Sequence, residues 1–335
     1  MRILIIGGTQ FIGRHIVDEL LNAGDEVTLF HRGTTNPELF PNLEHRRGDR
    51  NGNLSALAEG EWDATIDPSA YVPRQVHTLA RALGARGGRY VHVSSASVYA
   101  KLAAPGANED AAHVTINDPT TEVVDSETYG ALKSLCEEAT ANAFGPEGPG
   151  WAGQPPSIVR PTYVAGSHDH TGRFTWWVQR IAQGGRVLAP GPRTNPFQII
   201  DVRDVAAFVG RLAHGESQGV FHLAGPTPPF SFEDFLHEVR AQVGPPDTEL
   251  VWVSAEELLA AGVTPGELPL WEALADNRYA NALDARRALD AGLRIRPFAA
   301  TIGDVYAHES RHATPWRSVV GMSAVREREL LAALA

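Results

Sequence analysis

Cysteine is all but absent from this 335-residue chain, where Cys136 stands alone. One thiol excludes an intrachain disulfide and argues against a multi-thiolate metal centre. Lysine is nearly as scarce: Lys101 and Lys133 are the only two, beside 27 arginines. No apolar run approaches the roughly 18 residues needed to span a membrane. The N-terminus does not read as a signal peptide, because the strand-like run from Ile3 meets glycines at once. Positive charge is in deficit, 29 basic against 40 acidic residues, net −11. Such a surface on average repels nucleic acid and anionic lipid. With 43% hydrophobic and 21% charged residues, the chain reads as an ordinary globular protein. Its length suits two domains, or one large α/β domain with an appendage. The expectation is a cytoplasmic enzyme acting on a small molecule, with no nucleic-acid or membrane partner.

The chain opens with a pattern that carries chemistry. Ile3 to Ile6 is wholly apolar, as a parallel strand buried on both faces should be. Gly7-Gly8-Thr9 breaks the strand, and Phe11, Ile12, Ile16, Val17, Leu20 and Leu21 then recur at helical spacing up to Gly24. Val27 to Phe30 is the next strand. This βαβ opening places a glycine turn at a helix N-terminus, whose bare N–H groups suit a pyrophosphate. The turn reads Gly7-x-x-Gln10-x-x-Gly13, with the middle glycine replaced. Gly7, Thr9, Gln10, Phe11, Ile12 and Gly13 are therefore candidate cofactor-binding residues.

The end of the second strand discriminates between cofactors. An NAD site usually has a carboxylate there for the ribose 2′-hydroxyl, and that acid repels a 2′-phosphate. Here the strand ends His31-Arg32-Gly33, without an acid. The expectation is NADP in preference to NAD, with Arg32 on the 2′-phosphate.

Tyr129 and Lys133 lie four residues apart in a stretch whose Leu132, Leu135, Cys136 and Ala139 suggest a helix. One helical turn then puts both on one face. A phenol needs a shift of about three pKa units to exchange protons at neutral pH, and an adjacent ammonium pushes in that direction. Upstream, Arg89 to Val93 reads as another buried strand ending in Ser94-Ser95-Ala96-Ser97-Val98-Tyr99. In an open parallel sheet the residues past the strand ends line the ligand crevice. On position alone, any of the three serines could hold a substrate oxygen.

Together, the glycine turn, the Ser-Ser-x-x-Val98-Tyr99 strand end and Tyr129-x-x-x-Lys133 resemble the extended short-chain dehydrogenase/reductases. That family includes nucleotide-sugar epimerases and dehydratases. Arg160 to Gly166 is similar to the family's strand end beside the nicotinamide, Phe197 to Ala206 to its Ile-x-x-Val-x-Asp-Val-Ala segment, and Val220 to Ala224 to its late core strand. The resemblance implies a doubly wound α/β Rossmann sheet over 1–165, with 197–225 returning to it, and a smaller α/β cap over most of 166–335. It implies Ser95 as the catalytic serine, Tyr129 as acid/base, and Lys133 as the residue that holds the ribose and lowers the tyrosine pKa. It further implies Asp49 and Arg50 near adenine, Pro68, Ser69, Ala70 and Tyr71 along pyrophosphate and ribose, and Ser94, Pro161, Thr162 and Tyr163 beside the nicotinamide. A homodimer is the assembly it suggests.

The departures narrow the reading. Ala96 and Ser97 stand where dehydratases carry an Asp-Glu pair. Phe197 replaces the arginine that epimerases set on the nucleotide diphosphate, and Tyr163 replaces an asparagine near the sugar, although Arg193 has the length to reach in. The Gln10 turn with a His31-Arg32 strand end resembles a bacterial epimerase/reductase branch, itself similar to a chloroplast RNA-binding group. The intact Tyr–Lys pair and the net −11 charge argue against a purely RNA-binding role. The expected activity is hydride transfer at a carbonyl or secondary alcohol. A redox-neutral sugar epimerase on tightly held NAD and a cofactor-sensing regulatory protein are the alternatives.

Other features read as background. Phe144 to Pro156 is a glycine- and proline-rich loop. Trp176, Trp177 and Phe197 suit either an apolar substrate pocket or cap core. His308-Glu309-Ser310-Arg311-His312 matches the zinc motif H-E-x-x-H, and His168-Asp169-His170 looks metal-like. A terminal helix and a surface turn explain both, so no metal is expected.

Overall fold

A computed structural model describes residues 1–273, 275–312 and 320–334. In chain order it begins β1 (Arg2–Ile6), α1 (Phe11–Asn22), β2 (Glu26–His31), β3 (Glu44–Arg47), β4 (Ala64–Asp67), α2 (Pro73–Leu83), β5 (Arg89–Val93), α3 (Tyr129–Phe144) and β6 (Ser157–Pro161). It continues through β7 (Tyr163–Ala165), α4 (Arg173–Ala182), β8 (Arg186–Pro190), β9 (Pro196–Phe197), β10 (Ile199–Asp201), α5 (Val202–Ala213) and β11 (Val220–Leu223). After β11 come β12 (Phe230–Ser231), α6 (Phe232–Val243), β13 (Glu249–Val253), α7 (Ala255–Ala260), α8 (Arg286–Asp290), α9 (Phe298–Arg311) and α10 (Ala324–Leu334).

Seven parallel strands form one sheet in the order β11-β6-β5-β4-β1-β2-β3. The apolar run in β1 explains the layering. Ile3 and Ile5 point to one face and pack with Ile16, Val17 and Leu20 of α1 and Val205 and Val209 of α5. Leu4 and Ile6 point to the other, against Val76 and Leu79 of α2 and Cys136 and Ala139 of α3. All four apolar residues of β1 are fully buried, each contributing about 1.5–3 kcal/mol of transfer free energy. Helices thus cover both faces of a Rossmann sheet whose strand order reverses next to β1, where ligands of such sheets bind.

A second core lies beyond the sheet. Phe174, Trp177, Val178 and Ile181 of α4 pack with Phe197, with Phe235 and Val239 of α6, and with Ile302 and Val305 of α9. Of the two roles open to the cap aromatics, this is core packing: Trp177 and Phe197 are fully buried, and the Trp177 Nε1–H donates to Pro269 O at 2.6 Å. Two further links tie this part to the sheet: Ala288 and Leu293 pack in the α1–α5 core, and Asp204 of α5 accepts from the Arg296 guanidinium at 2.7 Å.

Candidate functional site

The glycine turn is built as its spacing suggests. Gly7 and Gly8 have φ of +114° and +94°, and a Cβ on Gly13 would stand 3.0 Å from the Gly8 backbone. Gln10 is extended at φ −141°, so the middle position of the motif has no need of glycine. No side chain caps α1 and no acid sits in its first turn, leaving its N–H groups and partial positive charge to the cleft. A cavity of about 460 Å³ opens there. Gly7, Thr9, Gln10, Phe11, Ile12 and Gly13 line it, as do His31, Arg32, Asp49, Arg50, Pro68, Ser69 and Tyr71. Gly33, Asn51, Gln75 and His170 also line it, although no motif marked any of these four as cofactor-binding.

Around the cavity three arginines differ in what they touch. The Arg50 guanidinium is buried and donates to both Asp67 oxygens at 2.7 and 2.8 Å and to Ser69 Oγ at 2.8 Å. Its charge holds the Asp67 carboxyl well below the usual range, despite the opposing and larger effect of burial. Arg50 therefore shapes the floor with a charge already compensated. Arg32 is exposed at the rim and makes no hydrogen bond or ion pair with the described residues. Arg47, at the end of β3, is the residue that sequence reasoning missed. Its Nη1 donates to His31 Nδ1 at 3.0 Å, while His31 Nε2 meets His45 Nδ1 at 2.8 Å and His45 Nε2 meets Phe40 O at 2.9 Å. With both rings neutral, one tautomer of each satisfies the whole chain of donors. Burial, reinforced by Arg47 and His45, lowers the His31 pKa to about 4, so this ring is uncharged at neutral pH.

The reacting end lies past β5. Tyr129 begins α3 and Lys133 follows one turn later, as the spacing predicts. Lys133 is buried, and its Nζ donates to Ala70 O at 2.9 Å and Val93 O at 2.8 Å and meets His92 Nε2 at 3.3 Å. Burial lowers its pKa, and also keeps His92 neutral with Nδ1 on Thr140 Oγ1 at 2.7 Å. The three ammonium protons are thus matched by three acceptors that tie α3 to the ends of β4 and β5. Tyr71 stands over this group, 5.8 Å from Nζ and 6.4 Å from the Tyr129 ring. Burial raises the Tyr129 pKa, opposed first by the Ser95 hydroxyl and then by the charge of Arg173.

Ser95 Oγ caps the short turn after β5 by accepting from Ser97 N at 3.1 Å, lies 3.0 Å from Ser97 Oγ, and is within hydrogen-bond reach of Tyr129. Ser94 is buried, and its Oγ has no partner among the described residues. An unpaired buried hydroxyl costs about 1–3 kcal/mol, which a ligand reaching past the strand end would recover. This orphan, the tight glycine cradle and the uncapped helix end together fit a dinucleotide. Pro161 closes β6, the Thr162 N–H donates to Leu223 O at 3.0 Å, and Tyr163 turns away, its hydroxyl donating to Glu272 Oε1 at 2.9 Å. Arg173 lies 5.2 Å above the Tyr163 ring. Arg193 is drawn to Glu233 (3.2 Å) and the Trp252 ring (4.7 Å), so it does not take the place of the arginine missing at Phe197.

The remaining motifs are placed too. Cys136 is buried packing, its thiol pushed up to about 12 by burial. The two metal-like histidine motifs meet in space, His168 lying 4.3 Å from His308, which stacks on His312 at 4.4 Å. Among the described residues, no three such side chains converge on a point that could hold a metal ion. Among them also, no helix is long and apolar enough to cross a membrane.

Fold and site together define an α/β protein built to bind a dinucleotide at the switch point of a parallel sheet. Over residues 3–224 the chain matches the NAD dependent epimerase/dehydratase family, and it belongs to that family. It is 27% identical over 277 residues to the chloroplast stem-loop binding protein of 41 kDa b of Arabidopsis thaliana, covering 76% of this chain and 67% of that one. Similar solved structures include the Bordetella bronchiseptica enzyme WbmH in complex with NAD+ (TM-score 0.67, 18% identity, 93% of this chain and 99% of that one). Another is the dTDP-glucose 4,6-dehydratase of Bacillus anthracis in complex with NAD (TM-score 0.70, 16% identity, 95% and 99%). A third is the Thermotoga maritima UDP-glucose 4-epimerase with UDP-glucose (TM-score 0.68, 16% identity, 93% and 99%). At these identities the likeness is one of fold.

Proposed function

We propose that this chain is an NADP-preferring oxidoreductase that reduces a carbonyl, or oxidises the matching secondary alcohol, of a small molecule. The observation that carries the reading is the grouping of Ser95, Tyr129 and Lys133 behind Tyr71, which lines a cleft with an uncapped helix end and an Arg32 that has no partner among the described residues. When bound, the nicotinamide supplies or accepts the hydride. The chain's own residues do the rest. Tyr129 Oη exchanges the proton with the substrate oxygen, and the Ser95 hydroxyl holds that oxygen in line. Lys133 anchors α3 on Ala70 and Val93, which fixes where the phenol sits, and a ribose hydroxyl entering there would compete for its N–H groups. Gly7 to Gly13 and the α1 N-terminus would hold the pyrophosphate, with Ser94, Pro161 and Thr162 beside the nicotinamide.

Ala96 and Ser97 supply no acid for eliminating water, which speaks against dehydration. The buried Phe197 and the engaged Arg193 leave no arginine from that segment for a nucleotide diphosphate, which favours net redox chemistry over sugar epimerisation. Tyr129→Phe removes the proton donor, so turnover is expected to fall by about 10²–10⁴-fold while NADPH affinity holds. Retained turnover would refute the role of Tyr129. Mass spectrometry of nucleotide released from freshly purified protein separates the classes: stoichiometric NAD would establish a retained cofactor and the epimerase, whereas empty protein or traces of NADP support the exchanging reductase.

A further inference from the structure

Beside Arg32, at the adenosine end of the cleft, the structure sets a second arginine that no motif marks. We propose that Arg47 and Arg32 form a two-guanidinium clamp for the 2′-phosphate of NADP, with His31 and His45 as the brace that holds Arg47 in place. The inference rests on the NADP preference argued above and carries it to a residue on another strand.

Position comes first. In the parallel pairing of β2 with β3, His31 is the register partner of Arg47, so both strands end together at the cleft. Arg47 lies across Gly33, which lines the cavity and has φ of +78°; a Cβ there would meet the guanidinium, the movable end of the Arg47 side chain. The glycine after Arg32 is thus the place where the second arginine comes close.

Partner chemistry comes second. Arg47 forms no ion pair with the described residues; its hydrogen bonds run to the His31 ring and, at 3.4 Å, to Pro37 O. These partners are neutral, so they orient the guanidinium without cancelling its charge. Most of its N–H groups stay available, and a planar fork of donors suits a phosphate. Arg50 shows the contrast within the same cavity wall: bidentate on buried Asp67, it has no net charge to offer a ligand. The His31–His45–Phe40 chain ends on a backbone carbonyl, so the brace is anchored to the main chain rather than to another mobile side chain.

The test is equilibrium binding of NADPH and NADH, which differ only in the 2′-phosphate, to wild type, Arg47→Ala and Arg47→Lys. Wild type should bind NADPH more tightly. Arg47→Ala should weaken NADPH by about tenfold to a hundredfold, the range of a charge-assisted hydrogen bond, with NADH essentially unchanged. Arg47→Lys should fall between, since an ammonium keeps the charge and loses the fork. If wild type favours NADPH but Arg47→Ala weakens both cofactors equally, or neither, the clamp is overturned and the NADP reading stands. If wild type binds NADH at least as tightly, the NADP reading falls and the clamp with it. Because Arg47 is exposed, loss of folding is not expected in Arg47→Ala. If a thermal melt shows otherwise, Arg47→Lys alone decides: an undiminished NADPH preference overturns the clamp, and a reduced one supports it.

Discussion

At the carboxyl end of β4, a buried arginine faces a buried carboxylate; at the ends of β2 and β3, Arg32 has no partner among the described residues and Arg47 has only the uncharged His31 ring and the Pro37 carbonyl. Arg50 and Arg32 line one cavity, and Arg47 lies against Gly33 of its wall. Arg50 with Asp67, and behind them Tyr90, His92 and Lys133, form a floor in which each charge is answered from within the chain, although the buried Arg50 Nε has no partner among the described residues. Arg32 and Arg47 form a rim whose charge is left unanswered. Taking a guanidinium out of water demands a partner, whereas one left at the surface keeps its charge for whatever enters. The floor thus holds the cleft's shape, and the rim is where a charged ligand would be selected.

The comparison breaks most directly at Asp67. Asp67→Asn would leave the buried Arg50 charge unpaired, and the fold should lose about 3–5 kcal/mol, read by urea denaturation. A loss under about 1 kcal/mol would mean that the floor is wet and the pair no stronger than a surface one. A smaller effect sharpens the rim. Arg32→Asp should cut the preference for NADPH over NADH by about tenfold to a hundredfold while leaving the melting temperature nearly unchanged; an unmoved preference would sink the role of Arg32. The smallest effect lies in pH. His31 and His168 have pKa values lowered to about 4, mainly by burial, against 6.5 when free. Both are uncharged when folded, and the unfolded chain takes up their protons first. Their contribution to stability is therefore full above pH 6.5 and declines as pH falls toward 4. His168→Phe should flatten the melting curve's dependence on pH across that window, where Arg14, His15, His308 and His312 also face this ring. An unchanged slope would show that His168 is solvated.

Much of this was legible along the chain. The four apolar residues of β1 required burial on both faces, the glycine spacing required a tight turn into a helix, and four residues between Tyr129 and Lys133 placed them one turn apart. Each rests on a local period that backbone geometry imposes. Reading stopped where the answer depended on a distant partner. Asp49 and Arg50 line the same cavity, but only the fold shows that Arg50 pairs with a carboxylate 17 residues away. The spacing put Lys133 one turn from Tyr129, but gave no sign of the three acceptors around its ammonium or of Arg173, 44 residues on, among the groups that act on the tyrosine. Trp177 and Phe197 suited pocket and core equally until α6 and α9 closed over them.

By itself, then, the sequence determined the βαβ opening, the doubly wound class and the one-turn spacing of Tyr129 and Lys133, because periodicity and turn chemistry act over a few residues. Only the tertiary structure decided which arginines remain charged toward the cleft, that Arg47 stands beside Arg32, and that two distant histidine motifs meet. Those outcomes depend on which side chains lose water and which partners share the space, and the fold sets both.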